Sequence, residues 1–176
     1  MADIEKEKRK MAEKKKVLIV EDKLENIMPA MEYFSDQGME PQAVSTYDLA
    51  IKELEEHGDE YLGIVSDLNF PKSSPRGEPE ELGFKLREEA KKYGVPVIIL
   101  TAGRLHRGGG EGYHLIPEFS EKGTKDGPKG ITKDMPEAWA DAYEELKKIE
   151  SEGGLEEIQK ARARHKKFTG KYYKRK

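Results

Sequence analysis

The sequence predicts an α/β fold built on a parallel sheet covered by helices on both faces, and three observations carry that expectation. Short apolar, β-branched runs at residues 17–20, 61–66 and 95–100 alternate with stretches whose apolar residues recur at helical spacing. The runs are apolar throughout rather than every second residue, as in strands buried on both faces. Each run ends in a polar residue: Glu21 and Asp22 after the first, Asp67 after the second and Thr101 after the third.

The elements follow in order. Residues 1–15 are charged, lack an apolar stripe and read as an arm. After the first strand, residues 24–37 carry Ile27, Met31 and Phe34 at helical spacing, with Pro29 near the first turns and Gly38 as the stop. A short strand is expected at 43–44. Thr46 then caps a helix to about residue 56, closed by Gly58. The strand at 61–66 leads to Asp67 and a Pro/Ser/Gly-rich loop over 69–79. A helix over 81–93 and the strand at 95–100 come next. Residues 104–130 hold RGGGEG and EKGTKDGPKG and are expected to be an atypical loop insertion. A weak fifth strand at 130–132 precedes Lys133. Pro136 opens a helix carrying Trp139, Ala142, Tyr143, Leu146 and Ile149 at core spacing. One domain over 16–150 is followed by a basic helix and tail over 151–176.

Composition narrows the function classes. The chain has 176 residues and no cysteine, which removes disulfides, thiolate zinc sites and cysteine nucleophiles. No apolar run approaches a membrane span, and the N-terminus has no apolar signal core, so a cytoplasmic protein is the expectation. Residues 160–176 contain nine Lys/Arg and no Asp/Glu. This basic tail suits a solvated helix end and, less well, contact with nucleic acid. Arg107–Gly112 lacks the spacing of a phosphate loop. His106 and His114 have no carboxylate or thiolate partner at metal-ligand spacing in the sequence. Trp139 is expected in the core.

In an open parallel sheet, ligands bind beyond the carboxyl ends of the strands. Glu21, Asp22, Asp67, Thr101 and Lys133 all fall at such ends. Three carboxylates drawn together repel one another, and a hard divalent cation such as Mg²⁺ relieves the repulsion. Asp67 is then placed for in-line attack on a phosphoryl group, with Lys133 and Thr101 facing its equatorial oxygens.

The motifs VLIVED at 17–22, IVSDLNFP at 64–71 and VPVIILTAG at 95–103, with Asp67 45 positions after Asp22, resemble the receiver domains of two-component response regulators. The resemblance implies a flavodoxin-like three-layer α/β/α fold with a parallel five-stranded sheet in the order 2-1-3-4-5. It implies that Asp67 is the phosphoacceptor and that Glu21 and Asp22 bind Mg²⁺ with it. The backbone carbonyl of Asn69 would complete the metal set. Thr101 would be the switch hydroxyl and Lys133 the phosphoryl-pairing lysine, with Lys129 and Lys125 as rivals. Pro71 and Gly83 would shape the acceptor loop. A histidine kinase or phosphotransfer protein would be the donor, an unidentified protein the downstream partner, and catalysis would extend only to the chain's own phosphorylation and dephosphorylation.

The chain departs from the family's pattern in several places. The loop between Asn69 and Gly83 is longer. Lys133 follows Thr101 by 32 positions, and the stretch between them reads as loop where receivers carry a fourth helix. Gly130 stands where an aromatic is usual, and Asp134, not Pro, follows Lys133. The alternative is therefore a degenerate receiver fold acting through protein contacts.

Overall fold

The computed structural model describes residues 2–6, 16–104, 110–117 and 124–150. The expected basic helix and tail over 151–176 lie outside the described residues, as does His106. Residues 2–6 are helical. The central elements are β1 (Lys16–Val20), α1 (Leu24–Asp36), β2 (Glu40–Val44), α2 (Tyr47–His57) and β3 (Tyr61–Ser66). A two-rung hairpin, β4 (Asn69–Phe70) with β5 (Glu80–Glu81), leads into α3 (Gly83–Lys91). β6 (Val97–Arg104), β7 (Glu111–Ile116), β8 (Lys125–Asp126) and α4 (Pro136–Glu150) complete the chain.

The six-stranded sheet has the order β2-β1-β3-β6-β7-β8. Its first four strands are parallel to one another, and β7 and β8 are antiparallel additions. Alternate strand residues enter opposite cores, as the two-residue period of a strand requires. Val17, Ile19, Val65, Ile98 and Leu100 pack with Phe34 of α1 and Trp139 and Leu146 of α4. Leu18, Val20, Ile64, Val97 and Ile99 pack with Leu54 of α2 and Leu86 of α3. Helices thus cover both faces. The near-continuous apolar runs follow from this, because no residue of β1 or β3 from Val17 to Val20 or Tyr61 to Ser66 reaches solvent appreciably.

Local signals act as expected at several ends. Thr46 Oγ1 accepts the Leu49 N–H at 3.3 Å, capping α2. Gly38 takes φ 77° just past α1. α1 runs through Pro29 rather than starting at it, which removes one helical N–H donor.

The expected parallel five-stranded sheet is corrected on its far side. Residues 130–132 form no strand; Gly130, at φ 84°, lies in a turn. The neighbour of β6 is β7, drawn from the stretch expected to be a loop, and β6 runs on past Leu100 to pair with it through Arg104↔Glu111. The glycines over 103–112 obscure β7 in the sequence, but Tyr113 and Leu115 alternate inward and are buried. The buried Arg87 of α3 binds the pair together. Its guanidinium donates to the carbonyl of Val97 at 3.0 Å and to that of Ile116 at 2.7 Å. On the other face, the Tyr113 hydroxyl donates to Asp141 of α4 at 2.9 Å. Among the described residues no helix is long and apolar enough to cross a membrane.

Leu115 separates the two possibilities for residues 110–117. Its side chain is fully buried, so Leu115→Ala should destabilise by about 2–5 kcal/mol in urea denaturation. A change within roughly 0.5 kcal/mol, normal for an exposed loop position, would show that β7 does not form.

Candidate functional site

The sheet itself carries two acidic residues to a common point. The Glu21 N–H donates to the Val44 carbonyl at 3.1 Å, and the Asp67 N–H to the Val20 carbonyl at 2.8 Å. Both backbones are therefore fixed by the last rungs beyond β1 and β3. Glu21 is fully buried, and its Oε1 accepts the N–H groups of Asp22 and Lys23 at 3.1 Å each. Asp67 Oδ1 accepts the Leu68 N–H at 2.7 Å. Carboxylate oxygens of Glu21, Asp22 and Asp67 lie within 4.8 Å of one another.

Lys133 closes this group from the opposite side. Its ammonium forms an ion pair with Glu21 Oε2 and lies 3.3 Å from Asp67 Oδ2. The side chain is 2% exposed. Neither Lys133 Nζ nor Glu21 Oε2 has a hydrogen bond of regular geometry, so their charge pairing is the compensation for burying both. No strand delivers this lysine. A tight turn does, with the Met135 N–H bonded to the Thr132 carbonyl at 3.0 Å and the Thr132 hydroxyl donating to Asp134. The indole N–H of buried Trp139 donates to the Lys133 carbonyl at 2.8 Å, tying the turn to α4. Of the three candidate lysines, Lys133 alone reaches the carboxylates among the described contacts. Lys125 pairs with Asp141 at 3.1 Å, and Lys129 is exposed.

The loop after Asp67 is fixed at both ends. Carbonyls of Pro71 and Lys72 accept the N–H groups of Tyr47 and Asp48 at 3.0 and 2.9 Å, seating the loop on the first turn of α2. The Leu82 and Gly83 N–H groups both donate to the Leu68 carbonyl at 3.0 Å. A Cβ on Gly83 would fall 2.9 Å from the Asp67 carbonyl oxygen and 3.0 Å from Leu68 Cα, so this position accepts only glycine without moving the acidic residue.

Two other expected site residues are less closely joined. Thr101 is half-buried in β6 opposite His114, two residues past the last β3–β6 rung, and no described contact joins its hydroxyl to the carboxylates. Asn69 is exposed at the start of β4. His114 Nδ1 lies 2.9 Å from Asp126 Oδ1, a hydrogen-bond partner that only the β7–β8 register reveals.

The donor set suits a hard divalent cation, since every candidate ligand is a carboxylate oxygen. Three carboxylates against one ammonium leave two excess negative charges, which one such ion cancels. Burial pushes the Asp67 carboxyl pKa up, Lys133 opposes this, and Glu21 adds to the rise. Beside the group lies a cleft of about 490 Å³ between the start of α1, the β6–β7 hairpin and the Lys133 turn. Comparison with protein-family models, with curated proteins and with solved structures found no match for the chain.

A raised folded-state value means the native chain holds the Asp67 proton more tightly than the unfolded chain, whose ordinary value is 3.8. The associated stability is complete below that value and is lost as pH rises through the folded-state value. In divalent-free buffer, Asp67→Asn should therefore flatten the fall in stability from acid to neutral pH, measured by urea denaturation at a series of pH values. An unchanged slope in the variant would place the titrating group elsewhere.

Proposed function

We propose that the chain is a receiver-type phosphoacceptor of two-component signalling, taking a phosphoryl group on Asp67 with Mg²⁺ bound by Glu21, Asp22 and Asp67. One observation carries the reading: the carboxylate oxygens of these three residues lie within 4.8 Å of one another, and Lys133, from far along the chain, holds its ammonium against two of them. The order of the four parallel strands, β2-β1-β3-β6, supports a receiver-like, flavodoxin-like core, with β7 and β8 in place of the fifth parallel strand.

Asp67 acts as nucleophile. Its Oδ2, on the side facing Lys133, bonds to phosphorus as the bond to the leaving group breaks, and the leaving group takes the electron pair. Asp67 keeps 13% of its side-chain surface open while Glu21 has none, so Asp67 is the carboxylate a donor can reach. Lys133 trades part of its pairing with the carboxylates for the new phosphoryl oxygens. The fixed N–H of Leu68 holds Oδ1 and so orients the attacking oxygen. Bound Mg²⁺ would supply charge neutralisation for the phosphoryl oxygens. Thr101 as the switch hydroxyl and the Asn69 carbonyl as a further metal ligand belong to this proposal through the resemblance. A histidine kinase, a phosphotransfer protein or a small phosphodonor would supply the group. A second reading, a module acting through protein contacts alone, draws on the β6–β7 hairpin standing where receivers carry a fourth helix.

Incubation with acetyl phosphate should add one phosphoryl group by intact mass, only when Mg²⁺ is present, and Asp67→Asn should abolish it. Labelling that persists in the variant would reject Asp67 as the acceptor. Trp139, the chain's single tryptophan, offers a parallel signal through its bond to Lys133. Its fluorescence should change saturably with Mg²⁺, and Asp22→Ala should remove the change. No response in the wild type would favour the contact module.

A further inference from the structure

We propose that the cleft between α1, the β6–β7 hairpin and the Lys133 turn binds a small linear diamine, independently of any phosphoryl transfer at Asp67. Its volume of about 490 Å³ lies within the range of small-molecule sites. Three carboxylates line it, each from a different wall: Glu25 in the first turn of α1, Glu111 at the start of β7 and Asp134 in the turn after Lys133. None of the three forms an ion pair among the described residues. The Thr132 hydroxyl donates to Asp134 and so holds that carboxylate in the wall. Lys133 also lines the cleft, but its ammonium is committed to Glu21 and Asp67. Lys23 and Glu25 flank the start of α1 and balance each other in charge. Glu111 and Asp134, both exposed, remain as two excess negative charges on separate walls.

Spacing decides the kind of cation. Among the described residues, the carboxylates that converge closely enough to hold a metal ion are Glu21, Asp22 and Asp67, and those of the cleft join no such group. Carboxylates held apart on separate elements suit positive charges that are themselves separated, whereas a metal ion needs its oxygens drawn to one point. An amine with a charge at each end matches the excess in number and in spread. A second, independent observation marks where such a ligand sits. Asn26 is only 7% exposed and lines the cleft, yet its side chain makes no hydrogen bond among the described residues. Its amide is not among the fully enclosed polar groups, so it stays within reach of an occupant of the cleft. A buried amide without a partner is costly. Its Oδ1 can accept from an ammonium, which carries three donors and no acceptor. Such a site gives the chain a small-molecule input beside its acidic centre.

Isothermal titration calorimetry of the full chain, with excess Mg²⁺, tests the site. Putrescine should bind saturably, and butylamine, which has the same carbon chain and a single charge, should bind roughly fivefold more weakly. Glu111→Gln and Asp134→Asn should each weaken putrescine binding by roughly fivefold, and Asn26→Leu by roughly tenfold. Lys23→Ala should tighten it, the reverse of its effect on an anion. Glu55→Gln, exposed on α2 and outside the cleft, should leave it unchanged. Absence of saturable binding to the wild type, or equal binding of the two amines, would overturn the inference. So would a loss in Glu55→Gln as large as that in Glu111→Gln, as for diffuse attraction to an acidic surface. A loss in Asp22→Ala as large as that in Glu111→Gln would place the diamine on the metal-binding carboxylates and overturn it equally.

Discussion

The Lys133 ammonium, buried against Glu21 and Asp67, is the interaction on which the rest of the site depends. A carboxylate as enclosed as Glu21 would incur a desolvation penalty of several kcal/mol if left alone. The lysine offsets that penalty, and its long stem allows it to do so from a turn rather than from a strand. The compensation is incomplete by charge. Asp22 and Asp67 remain in excess, and Asp67, whose affinity for its proton is raised chiefly by burial and further by Glu21, is the member of the group most open to compensation. A group in this state is drawn toward whatever adds positive charge beside it, whether a proton or a metal ion.

Position is imposed on these charges by backbone rather than by side-chain packing. The rungs that hold Glu21 to Val44 and Asp67 to Val20 are continuations of the parallel ladders. The acidic residues can therefore shift only if the sheet does. Gly83 adds a second constraint from outside, because α3 begins against the Asp67 carbonyl with no room for a Cβ. The long loop from 69 to 79 does not loosen this arrangement. It is seated on the first turn of α2, with the Ser73 hydroxyl donating to Asp48 at 2.6 Å.

Much of this was legible in the sequence, for reasons that differ by region. The three apolar runs, Thr46 and Gly38 report local physics: burial on both faces, a cap and a left-handed stop. Each expectation there matches the observed element to within a few residues. Glu21, Asp22 and Asp67 were legible because a parallel sheet forces strand ends to one edge. Residues 104–130 were not legible in the same way. An antiparallel edge strand needs only one inward face, and that of β7 reduces to Tyr113 and Leu115 among glycines. The role of Arg87 was hidden for a related reason. Its burial depends on carbonyls of Val97 and Ile116, which come together only once β6 and β7 pair. Lys133 was found for its distance to the next helix, although the strand expected to carry it does not exist.

The failure of the parallel pattern and the presence of the cleft have a single origin. A fifth parallel strand would end level with the other four and leave the carboxyl edge of the sheet open. Because β6 turns back through β7 instead, its paired backbone continues beyond Leu100 to Arg104, standing past the acidic group. Gly103 opposite Gly112 keeps that extension thin. The ring of His114 lies so close to Gly103 that a Cβ there would meet it at 2.7 Å, so the hairpin is packed on the α3 side while its other side borders the cleft. The return of the chain to the Lys133 turn then closes the far end, with the Gly127 N–H bonded to the Tyr113 carbonyl at 2.9 Å. The segment least readable in the sequence is thus the one that converts an open sheet edge into a walled cleft beside a reachable carboxylate.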